Sequence, residues 1–168
     1  MRRRVAILAV AAVAGAAVTI TSAAGSTGAC HASQLRGRLA GSNGAAGTIV
    51  LTVTLTNRGA ACTLEGYTRL QLMASARRTL ATHVVHGGLA ILNRKPKLVR
   101  LAHHGVASVL VAYSDVPHGS ERNCPTGTEI LFRVPGDATW LPVLARTKAC
   151  AHGTLAESPI LAGRHPAA

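Results

Sequence analysis

Residues 48–56 read TIVLTVTLT, and this stretch decides the fold class. Its apolar side chains Ile49, Leu51, Val53 and Leu55 alternate mainly with threonines. Successive side chains of a strand point to opposite faces, so this period of two predicts a β-strand with one face in the core and the other in solvent. Valine, isoleucine and threonine also favour strands over helices.

The same alternation recurs, more weakly, in six later segments. These segments are 69–75, 79–85, 97–102, 106–114, 129–134 and 139–144. Turn-forming residues such as Gly87-Gly88 and Pro135-Gly136-Asp137 separate them. About seven short strands with no convincing helical stretch predict an all-β fold, an immunoglobulin-like antiparallel β-sandwich. The glycine-rich segment 41–47 (GSNGAAG) matches no nucleotide-binding motif and is interpreted as a flexible lead-in to the first strand.

The N-terminus has the pattern of a secretory signal peptide. Three arginines are followed by an uncharged run from Val5 to Ile20 and then by small residues. We therefore predict a signal peptide at 1–24, a short linker at 25–29 and a single domain at 30–168, in a protein that is secreted or held in the cell envelope. An uncleaved membrane anchor remains an alternative, because about 20 apolar residues can span a bilayer. Lipidation of Cys30 is a further alternative, which the residues before it do not favour.

The chain is strongly basic even without this leader. Removal of its three arginines leaves 15 basic against 6 acidic residues, a formal charge of +9. The arginines are spread along the chain rather than concentrated in a dense tract, and an exported protein rarely meets nucleic acid, so no nucleic-acid partner is expected. The expected partners are anionic cell-wall polymer or a membrane surface. The candidate anion-binding residues form two local clusters: Arg77 and Arg78, then Arg94, Lys95 and Lys97.

Four cysteines occur in the chain, at Cys30, Cys62, Cys124 and Cys150. An even number of cysteines in an exported protein predicts a disulfide framework, here two bridges. Four cysteines allow three connectivities, and the residues alone do not choose among them.

Several short motifs resemble a known family. They are GAAG (44–47), CTLEGY (62–67), the strand pair within 98–114, RNCP (122–125), KACAHGTL (148–155) and LAESPILAG (155–163). In this order they resemble the actinobacterial secreted domain of unknown function 4232, over nearly all of the chain after the leader. The chain departs from that pattern at Thr68 and His104, where a proline is common. The resemblance implies a secreted or envelope-attached β-sandwich without an established biochemical role. Together with the spacing, it favours pairing Cys30 with Cys62 and Cys124 with Cys150.

No catalytic or metal-binding pattern is found in the sequence. The six carboxylates are separated along the chain, and neither a GxSxG elbow nor a C-x-x-C motif is present. On a strand, the two histidines of HVVH (83–86) point to opposite faces and cannot easily share one ion, and His103 and His104 do so unless the turn rotates one of them. We therefore expect no catalytic residue, no metal and no cofactor, and we expect Trp140 to pack in the core.

These observations predict a non-catalytic binding or interaction module whose ligand is unknown. The alternative is a secreted hydrolase or metal-dependent enzyme whose site is assembled from loops. Histidines and carboxylates gathered in one concave pocket would favour that alternative. A third possibility is a purely structural component of the envelope.

Overall fold

The computed structural model describes residues 27–75 and 78–166. The predicted signal peptide and Arg77 lie outside the described residues. Within residues 27–75 and 78–166, no helix has the length and hydropathy that crossing a bilayer requires.

Eleven β-strands form within the described part of the chain. They are β1 (Leu35–Ala45), β2 (Thr48–Asn57), β3 (Cys62–Leu64), β4 (Arg69–Met73), β5 (His83–His86), β6 (Val99–Leu101), β7 (Val106–Ser114), β8 (Thr126–Arg133), β9 (Leu141–Lys148), β10 (Thr154–Glu157) and β11 (Leu161–Ala162). A 3₁₀ turn precedes β1 at Ala32–Gln34, and one short turn follows β9 at Cys150–Gly153. The prediction of an all-β fold is confirmed.

The strands form two main sheets and a small ribbon. The larger sheet has the order β1-β2-β7-β10-β5, with β11 also paired to β7. The second sheet has the order β4-β8-β9, and β3 pairs with β6. The strand pairs are antiparallel except for β10 and β5, which run parallel.

The main core lies between the two sheets. Val53 of β2 and Val109 of β7 face Leu72 of β4 and Ile130 and Phe132 of β8, and all five are completely buried. Branched aliphatic side chains fill most of this space, as a chain with four aromatic residues requires. Burying each of these side chains contributes about 1.5–3 kcal/mol relative to leaving it in water.

The outer face of β2 is also buried, which corrects the prediction of a half-exposed strand. Thr52 and Thr54 are almost inaccessible to solvent. Leu92, from the segment after β5, packs with Val50 and Leu110 in a second cluster on this face of the larger sheet. Alternation of threonines therefore marked a covered face rather than a solvated one.

The segment 41–47 was predicted as a flexible lead-in, and this prediction is wrong. It is the end of β1 and a tight turn into β2, with Ala45 paired to Thr48. Ala46 and Gly47 both have positive φ, 49° and 79°. Two positive φ values are characteristic of a two-residue type I′ turn, whose twist matches that of a β-hairpin.

Other strand predictions differ in extent. The strand predicted at 79–85 is reduced to β5, with Thr79 contributing only an isolated bridge to Met73. Strands β3, β10 and β11, which are two to four residues long, were not predicted.

Two disulfides close the fold, and they join the pairs that the family resemblance favours. Cys30 is bonded to Cys62, which holds the segment before β1 against β3. Cys124 is bonded to Cys150, which ties the start of β8 to the turn after β9. No free cysteine remains in the described chain.

Candidate anion-binding site

The predicted basic clusters lie on two loops at opposite ends of β5. Arg78 is exposed on the loop before this strand, and its carbonyl accepts a hydrogen bond from the N–H of Ala74 at 2.8 Å. Arg94, Lys95 and Lys97 are exposed on the loop after it. Arg77 lies outside the described residues. The two groups therefore form two basic surfaces rather than one concentrated patch.

The positive charge is not neutralised locally. Among the described residues, no arginine or lysine has a nitrogen within 4.0 Å of a carboxylate oxygen, and both ion pairs found there involve histidine. The cationic side chains therefore remain available to anions from outside the molecule.

A third basic feature lies on the outer face of the β4-β8-β9 sheet. Arg69 begins β4, Arg133 ends β8, and the two are directly opposite each other in the antiparallel register. Leu70 and Phe132, the partners one residue further into these strands, point into the core. Both arginines therefore project from the same outer face.

Aromatic rings flank these arginines. The guanidinium carbon of Arg133 lies 4.8 Å from the ring centroid of Trp140, a cation–π contact. Trp140 immediately precedes β9 and is 37% exposed. Trp140 is therefore not a core residue, contrary to the prediction.

Two cavities meet at this point. The first, of about 550 Å³, is bounded by Tyr67, Arg69 and Arg133 together with residues 134–138. The second, of about 450 Å³, is lined by Tyr67 and Arg69 again, with Val84, His86 and Trp140. We call this pair of cavities the arginine cleft. Their sizes lie within the range of ordinary small-molecule sites.

Asp137 is the carboxylate in the wall of the first cavity. Its Oδ2 accepts the N–H of Ala32 at 2.6 Å and its Oδ1 accepts the N–H of Thr139 at 2.8 Å. These backbone donors, Thr139 and then Ala32, lower the pKa of Asp137 to about 2. His31 Nδ1 lies 3.6 Å from the same carboxylate. Asp137 thus accepts backbone hydrogen bonds and forms no ion pair with Arg69 or Arg133.

Glu157 lies behind the second cavity and is fully buried. The hydroxyl of Thr68 donates a hydrogen bond of 2.6 Å to its Oε2. Within the described structure its Oε1 accepts no hydrogen bond. Burial raises the pKa of Glu157 to about 7, although the hydrogen bonds from Thr68 act in the opposite direction.

His86 connects this buried acid to the cleft. Its Nε2 lies 3.4 Å from Glu157 Oε1, and its ring stacks on Tyr67 with centroids 3.8 Å apart and planes inclined by 6°. Tyr67 borders both cavities. The His86–Glu157 pair therefore contacts the wall of the cleft through the ring of Tyr67.

The two histidine pairs considered in the sequence differ in whether their rings meet. His83 and His86 lie on a strand, β5, as predicted. His103 and His104 do meet, with ring centroids 3.8 Å apart, because His104 has a positive φ of 62° that rotates its side chain.

Glu121 lies near Cys124 and Cys150, where the donor atoms are within 4.8 Å of one another. Both sulfur atoms are in the disulfide and are not thiolate ligands. The carboxylate of Glu121 accepts the N–H groups of Ala151 and His152 at 2.7 and 3.0 Å. This contact explains its position without an ion.

Sequence reasoning missed the arginine cleft. Arg69 and Arg133 were recognised only as members of a scattered set, 64 positions apart. Strand alternation could have assigned each to an outer face. Their pairing depends on which strands are neighbours, and local sequence does not give that.

The fold and the site define a class: a disulfide-bonded all-β domain with unneutralised arginines and a cleft lined by arginine and aromatic side chains. The family model DUF4232, a domain of unknown function, matches residues 30–160, and the chain belongs to this family. No curated protein matches the chain. No solved structure matches it either.

Proposed function

We propose that the protein is an exported, non-catalytic module that binds anionic polymer in the cell envelope. The observation that carries this proposal is the set of unneutralised cations: no described arginine or lysine is paired with a carboxylate. Two disulfides support an extracellular location, because disulfides persist in oxidising compartments.

The exposed loops on either side of β5 are the proposed contact surface. Their described cations are Arg78, Arg94, Lys95 and Lys97; Arg77, the fifth candidate, lies outside the described residues. Exposed charges attract a polyanion over about 8 Å at physiological ionic strength, and each single contact is weak. Binding is therefore cumulative and sensitive to salt.

Retention of the oxidised protein on immobilised poly(glycerol phosphate) tests this proposal. A variant with all five loop cations changed to glutamate should lose retention at low salt. A matched control changes five other exposed cations to glutamate, which gives the same net charge. Those control positions are Arg36, Arg38, Arg58, Arg146 and Lys148.

We expect the control variant to retain most binding. Equal loss in both variants would overturn the assignment to the two loops. Retention that persists at high salt would contradict an electrostatic contact. Binding to vesicles of phosphatidylglycerol but not to the polymer would identify anionic lipid, rather than wall polymer, as the partner.

A second candidate function, hydrolysis, is favoured by the His86–Glu157 pair. A carboxylate beside an imidazole can orient the imidazole as a general base. The hydroxyl group of Thr68 donates its hydrogen bond to Glu157 Oε2 and not to the imidazole of His86. Turnover of p-nitrophenyl acetate that is abolished by His86→Ala would support this candidate over binding alone.

A further inference from the structure

We propose that the arginine cleft is a discrete binding site for a phosphorylated saccharide. The phosphoryl group would lie between the guanidinium groups of Arg69 and Arg133, and the sugar ring would lie against Tyr67 and Trp140. This site is separate from the charged loops, and the inference goes beyond the proposed function.

The cross-strand arginine pair is the first argument. Directly opposite residues of antiparallel strands have Cβ atoms about 4.5–5.5 Å apart, and like charges at that spacing destabilise the sheet. No carboxylate among the described residues lies within ion-pair distance of either guanidinium group. An anion bound between the two arginines removes this repulsion, so the pair gains more from an external anion than an isolated arginine does.

The second argument identifies the anion. One guanidinium group can occupy both oxygens of a carboxylate through two parallel hydrogen bonds. A phosphoryl group offers up to three non-bridging oxygens and as many as two negative charges, which suits two guanidinium groups acting together. The site therefore favours phosphate over carboxylate.

The wall of the first cavity supports this assignment. Asp137 does not compete for the arginines, since both of its oxygens accept backbone N–H groups. Its charge is stabilised by the N–H groups of Ala32 and Thr139, with His31 Nδ1 3.6 Å away, rather than by Arg69 or Arg133. Within the described structure both arginines therefore lack a carboxylate partner, and Arg133 contacts the ring of Trp140, which leaves its N–H groups able to bind an anion.

The aromatic residues identify the carrier of the phosphoryl group. The chain has four aromatic side chains; Tyr113 and Phe132 are buried, while Tyr67 and Trp140 both line the second cavity. Tyr67 and Arg69 border both cavities, so a ligand can occupy the two at once. A ring with one apolar face and several hydroxyl groups, such as a sugar, matches a wall of two rings.

Titration calorimetry with α-D-glucose 1-phosphate, glucose and inorganic phosphate tests the site at physiological salt. We expect the sugar phosphate to bind more tightly than either part. Arg69→Gln and Arg133→Gln should each weaken its binding about tenfold or more, the amount that one charged hydrogen-bonded contact supplies. Trp140→Ala should weaken binding of the sugar phosphate and leave that of inorganic phosphate unchanged.

The double variant Arg78→Gln/Arg94→Gln is the control, and its affinity should equal that of the unaltered protein. Thermal unfolding provides a second measurement: the sugar phosphate should raise the midpoint of the unaltered protein and not that of the folded Arg69→Gln variant. Equal affinity for glucose 1-phosphate and phosphate would overturn the saccharide assignment. Equal loss in the cleft and control variants would overturn the site. If the protein bound vesicles of phosphatidylglycerol through Arg69 and did not bind the sugar phosphate, the ligand would be a lipid headgroup and the saccharide assignment would be wrong.

The experiment also separates this inference from the proposed function. The variant with five loop charges reversed should still bind glucose 1-phosphate. In the unaltered protein, binding of the sugar phosphate without retention on the polymer would reject the function alone, and retention without binding of the sugar phosphate would reject the cleft alone.

Discussion

At the scale of single residues, Asn57 holds together the loop that follows β2. Its side chain is fully buried, and its Nδ2 donates to the carbonyls of Ala60, Leu101 and Ala102 at 2.8, 3.2 and 3.1 Å. Its Oδ1 accepts the N–H of Gly59 at 2.9 Å. One amide thus connects the end of β2 to Ala60, which precedes β3, and to Leu101 and Ala102 at the end of β6. Local sequence does not predict these buried contacts.

Asn57→Ala should destabilise the protein by about 2–4 kcal/mol. The substitution removes three hydrogen bonds, one of them to the buried carbonyl of Leu101, and the loss of buried hydrogen bonds is costly. Urea unfolding at neutral pH measures the change, with Asn123→Ala, at an exposed asparagine, as the control. A loss equal to that of the control would show that water replaces the amide without cost.

Glu157 should make stability fall as pH rises from about 4.5 to 7. Its native pKa of about 7 lies above the ordinary value of 4.5. The folded state therefore holds more protons than the unfolded state in this range, and the free energy of unfolding decreases with rising pH. The decrease is at most about 3 kcal/mol.

Urea unfolding from pH 4.5 to 8 measures this dependence. Glu157→Gln should flatten the curve, whereas Glu65→Gln, at an exposed position, should leave it unchanged. Parallel curves for Glu157→Gln and the unaltered protein would assign the pH dependence to other groups.

At the scale of elements, uninterrupted apolar alternation decided whether the sequence revealed a long strand. Strands β2 and β7 have 10 and 9 residues with strong apolar content, and both were predicted within one residue of their ends. Strand β1 was missed because three glycines and a serine interrupt its apolar alternation between Leu35 and Ala45. Its pairing with β2 stabilises it in place of local propensity.

Ala46→Asn should stabilise the β1–β2 hairpin by about 0.5–1 kcal/mol. Ala46 has a positive φ, which is unfavourable for alanine and tolerated by asparagine. Thermal unfolding measures the effect, and Ala45→Asn, one position earlier within β1, is the matched control with no expected gain. A midpoint unchanged by Ala46→Asn, or lowered by it, would contradict the assignment of a type I′ turn.

At the scale of the whole molecule, charge and topology were predictable to different degrees. The linear sequence predicted the basic character through its charge count, two disulfides through its four cysteines, and the all-β class through its apolar alternation. It could not give the arginine cleft, because Arg69 and Arg133 meet only when β4 pairs with β8. Nor could it give the buried acid behind the cleft: Glu157 ends β10, a strand of four residues beside β7 and β5. Sites made by non-local pairing are therefore invisible to a reading along the chain.

The unneutralised cations should also make folding stability depend on salt. Outside the predicted signal peptide the formal charge is +9, and no described arginine or lysine is paired with a carboxylate, so the positive charges of the folded state repel one another. Exposed charges interact over about 30 Å at 0.01 M salt but only over about 8 Å at 0.15 M. Sodium chloride should therefore weaken the repulsion and raise the thermal midpoint across this range. The variant with the five loop cations changed to glutamate has a net charge close to zero. It should melt at a higher temperature than the unaltered protein at 0.01 M salt and show little further rise. Salt curves of equal slope for the two proteins would attribute the stabilisation to a general effect of the salt rather than to relief of charge repulsion.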